Sequence, residues 1–130
     1  MSKFSKIGKV TVERIFKSQQ SLNEILNSNL KASVAYKLSR IAAKVSGEMK
    51  VFDEQRRKLV EKYGEIDDEG NTKVPESSRE EFNKEINDMF KEEIDIDLSK
   101  ISVEDLVDSK GNEIDVKGST LINLDWLLKD

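Results

Sequence analysis

Leu38, Val45, Phe52 and Leu59 recur at intervals of seven, with Val34 and Ile41 in the companion row of the first half. This spacing predicts an amphipathic helix over residues 31–63, with one apolar stripe facing a core or a partner. In the second half the companion row slips by one residue to Met49 and Tyr63, because Glu48 and Gln55 occupy the expected places. A slip of this kind describes an ordinary helix drifting about its axis rather than a strict coiled coil. Ala42, Ala43, Ser46 and Gly47 would let a neighbouring helix approach closely. At about 1.5 Å per residue the helix would be roughly 50 Å long, so its end is expected to project or to pair. Gly64 follows as a C-cap, with Lys58 and Lys62 in the last turn where the helix dipole favours cations.

On either side the pattern is shorter-ranged. Val10 to Phe16 has enough β-branched residues for a short strand, although the alternation fails at Arg14-Ile15 and leaves a helix start open. Ser21 with Glu24 fits a capping box ahead of Leu22, Ile25 and Leu26, and Asn27-Ser28-Asn29 then interrupts the stripe. Residues 65–75 read as a loop, with turn chemistry at Asp67-Asp68-Glu69-Gly70-Asn71 and Pro75 blocking helix until after it. Ser77 or Ser78 is the expected cap of a further helix carrying Phe82, Ile86, Met89 and Phe90, the antiparallel mate of the long one. The period then changes to two at Ile94, Ile96 and Leu98, which predicts a strand. Beyond it come a helical turn over 102–107, a turn at Lys110-Gly111-Asn112 and an alternation of Ile114 and Val116 around Asp115. A last short helix would carry Leu121, Leu124, Trp126, Leu127 and Leu128, with the lone Trp126 as a packing anchor.

The resulting expectation is an α+β, mainly helical fold. A long helix lies in an antiparallel helical hairpin beside a small β-containing C-terminal lobe. Residues 1–130 form a single domain: an N-terminal arm or short strand (1–20), a helical hairpin region (21–93) and the lobe (94–130). Lys3, Lys6 and Lys9 sit in a first segment without an apolar run, which reads as a solvated arm rather than a secretory signal.

Composition narrows the chemistry. The 130 residues include no Cys and no His, which removes disulfides, thiolate metal sites, a cysteine nucleophile and the commonest general base. Acidic clusters could hold Mg²⁺ through oxygen ligands, but no constellation stands out, and residues 67–71 do not match the ligand spacing of an EF-hand. Asp95 and Asp97 share a face of the expected strand in an acid-rich, exposed stretch, unlike the desolvated carboxylate that acid–base catalysis needs. There is no Gly-rich phosphate loop and no nucleophile elbow. We therefore expect no enzyme, no cofactor, no metal and no membrane span.

The net charge of −4 conceals an asymmetry. Residues 1–62 carry 14 basic and 6 acidic side chains, a net of +8, while residues 63–130 carry 8 basic and 20 acidic ones, a net of −12. The two halves are expected to fold against each other, with the acidic third helix beside Arg56, Arg57, Lys58 and Lys62. Within the basic half, Lys37, Arg40, Lys44 and Lys50 form the candidate set for nucleic acid, with Arg40 and Lys44 one helical turn apart. The candidate partner-binding residues are Leu38, Ile41, Val45 and Phe52 on the apolar stripe.

Several blocks stand in one order: Tyr36-Lys37-Leu38-Ser39-Arg40, Phe52 to Gly64, Asp68 to Asn71, Phe82 to Glu85, the acidic strand with Ile101-Ser102, and Leu124 to Leu128. This arrangement resembles an uncharacterised family of small proteins encoded by phages and prophages of Gram-positive bacteria. It covers residues from about Leu30 to the C-terminus, and the first thirty depart from the pattern. The family offers no catalytic residues to transfer. The resemblance implies a viral origin and an accessory or assembly role in the host bacterial cytoplasm or on the virion. Its expected mode of action is interaction with a phage or host protein, or self-association. The alternatives are a nucleic-acid-associated factor using the basic half, and an acidic inhibitor of a host protein using Glu80 to Asp97.

Overall fold

The structure, a computed structural model, describes residues 6–108, 110–114 and 116–129. The first strand, β1 (Lys6–Thr11), runs directly into helix α1 (Val12–Leu26). Both readings of residues 10–16 were thus partly right, and the boundary falls at Thr11. Its Oγ1 accepts the Arg14 N–H at 3.3 Å, an N-cap that the β-branched run had masked. The expected capping box at Ser21 and Glu24 does not form, because both residues lie well inside α1. Lys6 and Lys9 of the expected arm belong to β1, whereas residues 1–5, including Lys3, lie outside the described residues.

After a turn at 27–31 the chain enters helix α2 (Ala32–Tyr63), which buries Val34, Leu38, Ile41, Val45, Met49 and Phe52. The stripe ends there, since Leu59 is only half-buried. A hairpin of two-residue strands follows, β2 (Glu65–Ile66) and β3 (Thr72–Lys73), where a plain loop was expected. Gly64 stands at the join with φ −83°, so it is not a left-handed cap. A Cβ there would lie 2.3 Å from the Val60 carbonyl oxygen and 2.7 Å from Thr72 Cγ2, so the hairpin needs a bare backbone for its close approach.

Helix α3 (Glu76–Lys91) returns along the second half of α2. Pro75, rather than Ser77 or Ser78, stands at its N-cap, with its carbonyl accepting the Ser78 N–H at 3.0 Å. Proline suits this place because its fixed φ leads into a helix and its missing N–H is not needed. The two hairpins meet at three aromatic rings, one from each long helix. Phe16, Phe52 and Phe90 have centroids 5.8, 5.5 and 5.0 Å apart pairwise. At the far end Tyr63 meets Phe82 edge-on at 6.4 Å, and Lys62 pairs with Glu85 at 3.4 Å. The expected α2–α3 hairpin is therefore present, and α1 adds a second one along the first half of α2.

Strand β4 (Glu93–Ser99) pairs antiparallel with β1, Val10 opposite Ile94 and Gly8 opposite Ile96, with an irregularity between Lys6 and Gly8. After Lys100 the chain forms β5 (Ile101–Ser102), a single 3-10 turn (Val103–Asp105), helix α4 (Gly118–Asn123) and β6 (Leu128–Lys129), which lies parallel to β5. Ile114 and Val116 are half-buried but form no strand, and Asp115 lies outside the described residues. The last helix is also shorter than the pattern implied, since Leu124 to Leu127 lie in turns that place Leu124, Trp126 and Leu127 in the core.

This C-terminal lobe docks on α1 through polar side chains as well as apolar ones. Ser18, fully buried, accepts the Trp126 indole N–H at 2.6 Å, and its hydroxyl lies 2.9 Å from the Asn123 carbonyl and 2.5 Å from the Arg14 carbonyl. Asn123 Nδ2 donates to Ser21 Oγ at 3.2 Å, and Thr120 Oγ1 donates to Glu24 at 2.8 Å. Arg14 pairs with Asp125 at the rim. Ser21 and Glu24, spaced like a capping box, instead form part of a polar row that receives the lobe.

Candidate functional site

The four apolar residues named as partner-binding lie in the protein's own core. Leu38 is 0 %, Ile41 1 %, Val45 3 % and Phe52 5 % exposed. The stripe therefore does not present an outward seam, because α1, α3 and the C-terminal elements already cover it. The four basic candidates separate as well. Lys44 is in an ion pair with Glu48 on its own helix at 3.5 Å. Lys50 is exposed, about 15 Å along α2 from Arg40 and about 80° around it. Lys37 and Arg40 remain together, and the fold brings them new neighbours.

They form one wall of a cleft of about 250 Å³ between α2 and the corner where β4 passes into β5. Leu98 and the buried Ile41 and Ile101 form the apolar part of its lining, while Lys100, Ser99, Ser102, Asp105 and Lys129 complete it. The local construction follows from strand geometry. Ile101 is buried at the base of this corner, while Lys100 and Ser102 on either side of it are half-buried and reach the cleft. The β5–β6 register sets Ser102 beside Lys129, and the Ile101 N–H donates to the Leu127 carbonyl at 2.8 Å.

Four cations thus meet one carboxylate, Asp105, in a concave site on a chain whose net charge is −4. Ion pairs among the described residues use Lys6, Arg14, Lys17, Lys44, Arg57, Lys62 and Lys73, and none uses Lys37, Arg40, Lys100 or Lys129 within 4.0 Å. Sequence reasoning found Lys37 and Arg40 and missed Lys100 and Lys129. Those two are isolated lysines in an acid-rich segment, 29 residues apart, and only the parallel β5–β6 pairing brings them to one place.

Elsewhere, shifted titrations have local structural causes. Asp97 is held below its usual range by its hydrogen bond and charge contact with Lys6, at 2.7 Å. Glu85 is lowered by a hydrogen bond from Tyr63 and by Lys62, while Tyr63 itself is raised chiefly by Glu85. Asp67 and Asp108 are lowered by backbone N–H groups of the turns they close, those of Asn71 and Asn112 foremost. Asp67 Oδ1 accepts from Glu69 and Asn71 at 2.9 Å, so the carboxylate weighed for calcium is engaged by its own turn. Among the described residues no group of three or more acidic side chains is arranged to hold a metal ion.

Comparison with protein-family models, with curated proteins and with solved structures finds no match for this chain. No helix among the described residues is long and apolar enough to cross a membrane.

Proposed function

We propose that this chain is a non-enzymatic accessory or assembly protein of phage origin. It works in the host bacterial cytoplasm by binding a protein partner, and the cleft between α2 and the β4–β5 corner holds an anionic group of that partner. The observation carrying this reading is the set of four cations without a carboxylate within ion-pair distance among the described residues of an otherwise acid-rich molecule. Such unbalanced charge in a recess favours a complementary anion and excludes a like-charged one. The phage origin and the cytoplasmic setting rest on the sequence resemblance alone.

The nucleic-acid reading is less well supported. A polyanion needs cations along a track, yet Lys44 is engaged by Glu48 and Lys50 is turned away from Lys37 and Arg40. The acidic-inhibitor reading keeps its exposed carboxylates on α3. Where Asp88, Glu92, Glu93 and Asp95 line a recess of about 390 Å³, however, they share it with Lys9 and Lys91, which offset part of their charge.

The test is affinity capture from infected cells with the full chain, comparing wild type with Lys100→Glu/Lys129→Glu and with Lys50→Glu. The reading expects a protein retained by wild type and by Lys50→Glu and lost from the double variant. Retention that is indifferent to the double variant, or replaced by salt-sensitive retention of DNA or RNA, would refute it.

A further inference from the structure

Resting on the cleft as a binding site, we infer that the group it takes is a phosphate monoester in its dianionic form rather than a carboxylate. Lys37, Arg40, Lys100 and Lys129 against Asp105 leave three positive charges unbalanced in the lining. A single carboxylate would leave two of them, and a phosphate dianion leaves one. The donors also come from two walls, Lys37 and Arg40 on the helix, and Lys100 at the β4–β5 corner with Lys129 on β6. A tetrahedral group with three terminal oxygens can meet both walls at once, and the Arg40 guanidinium matches two of those oxygens with parallel N–H bonds. A planar carboxylate offers two oxygens in one plane and one negative charge, so it meets fewer of these donors and neutralises less of their charge.

Size and surroundings point to a terminal phosphate. About 250 Å³ corresponds to roughly eight waters of liquid volume, enough for a phosphate and its first attached atoms. A diester within a nucleic-acid strand would carry further phosphates out over the flanking surface, where Glu104, next to Asp105 in the chain, is exposed. A monoester brings its charge into the recess and no further charge to the rim. Sources of the same chemistry are a phosphorylated side chain and a small phosphorylated metabolite such as a nucleoside monophosphate.

The absence of His gives a clean readout. His is the side chain whose ordinary pKa lies between 5 and 8, and this chain has none. The charged side chains lining the cleft are the five named above. The second ionisation of a phosphate monoester falls near 6, so its dianion fraction changes about tenfold between pH 5 and pH 7.5.

The experiment is calorimetric or fluorescence titration of the full chain at fixed ionic strength. The probes are a phosphoserine peptide with neutral flanks, its glutamate counterpart and a nucleoside 5′-monophosphate. Expected at pH 7.5 is binding of phosphoserine at least about tenfold tighter than glutamate. That affinity should weaken about tenfold by pH 5 and be lost in Arg40→Gln/Lys129→Gln, with circular dichroism unchanged. The tighter of the two phosphate probes identifies the source. Equal affinity for the glutamate peptide, or phosphoserine binding that is flat with pH, overturns the phosphate assignment while leaving an anion-binding cleft. No binding of any probe overturns both.

Discussion

At Ser18 a single hydroxyl joins three parts of the chain. It accepts from Trp126, 108 residues away, and stands within reach of the Arg14 and Asn123 carbonyls. Ser18 is fully buried and Trp126 nearly so, so the indole N–H has no route to water if this acceptor is removed. Leaving a buried donor unsatisfied costs about 1–3 kcal/mol, more than the net worth of the bond itself. Ser18→Ala is therefore expected to destabilise the protein by about that amount in urea unfolding, and by clearly less in a Trp126→Phe background, where no indole N–H remains. Equal costs in the two backgrounds would mean that the Ser18–Trp126 bond is not what holds this joint. None of this was legible in the sequence. Ser18 reads as one more polar position in a helix, and its partners lie far along the chain.

Among the elements, the short-range patterns were the readable ones. The stripe of α2 appears at Val34, Leu38, Ile41, Val45 and Phe52 because a period near 3.6 needs only neighbouring residues to reveal it. Ile94, Ile96 and Leu98 gave β4 in the same way. The start of α1 was obscured where β-branched residues on both sides of Thr11 serve strand and helix alike. The stripe was visible, but its occupant was not. Val45 and Phe52 are under the molecule's own elements, so an Asp at either position would test folding rather than partner release.

One element recurs. Asp67 to Asn71 and Asp108 to Asn112 share the order Asp-x-x-Gly-Asn, with positive φ at Gly70 (83°) and Gly111 (89°). In both, the Asp carboxylate accepts backbone N–H bonds from the second and fourth residues after it. The folded state holds these carboxyls below their usual range, so it binds fewer protons there than the unfolded chain. Their contribution is present above the ordinary carboxylate pKa near 3.9 and is lost as pH falls through the lower folded values. Asp97 and Glu85 act in the same direction. Asp67→Asn/Asp108→Asn keeps the acceptor and removes the titration, so its stability should fall less steeply than wild type between about pH 4.5 and pH 2. Parallel curves for the two proteins in chemical denaturation would contradict this account.

For the whole molecule, the segregation of charge is partly architecture. Lys6 with Asp97, Arg14 with Asp125, and Lys62 with Glu85 each join a base from the first half to an acid from the second. The expected neutralisation across the α2–α3 hairpin is narrower than the sequence implied, since Arg57 pairs with Glu61 on its own helix. These pairs are exposed and individually weak, so they orient the halves more than they stabilise them. Two lysines of the acidic half, Lys100 and Lys129, instead join Lys37 and Arg40 of the basic half across the cleft. Half of this site was legible in the sequence, since Lys37 and Arg40 are two of the four basic candidates on the helix. The pair that the spacing singles out as one turn apart is Arg40 with Lys44, and Lys44 lies outside the cleft. The other half depended on a parallel strand pair of two residues each, which local sequence cannot announce.

The central claim is that this cleft binds an anion, and the most direct measurement is a ¹⁵N–¹H NMR titration of the full chain with inorganic phosphate against a constant chloride background. The account predicts saturable shifts confined to the amides of Lys37 to Ile41, Ser99 to Ser102 and Lys129, removed by Arg40→Gln/Lys129→Gln. Shifts that do not saturate, or that gather around Lys50 and the basic end of α2 instead, would contradict it.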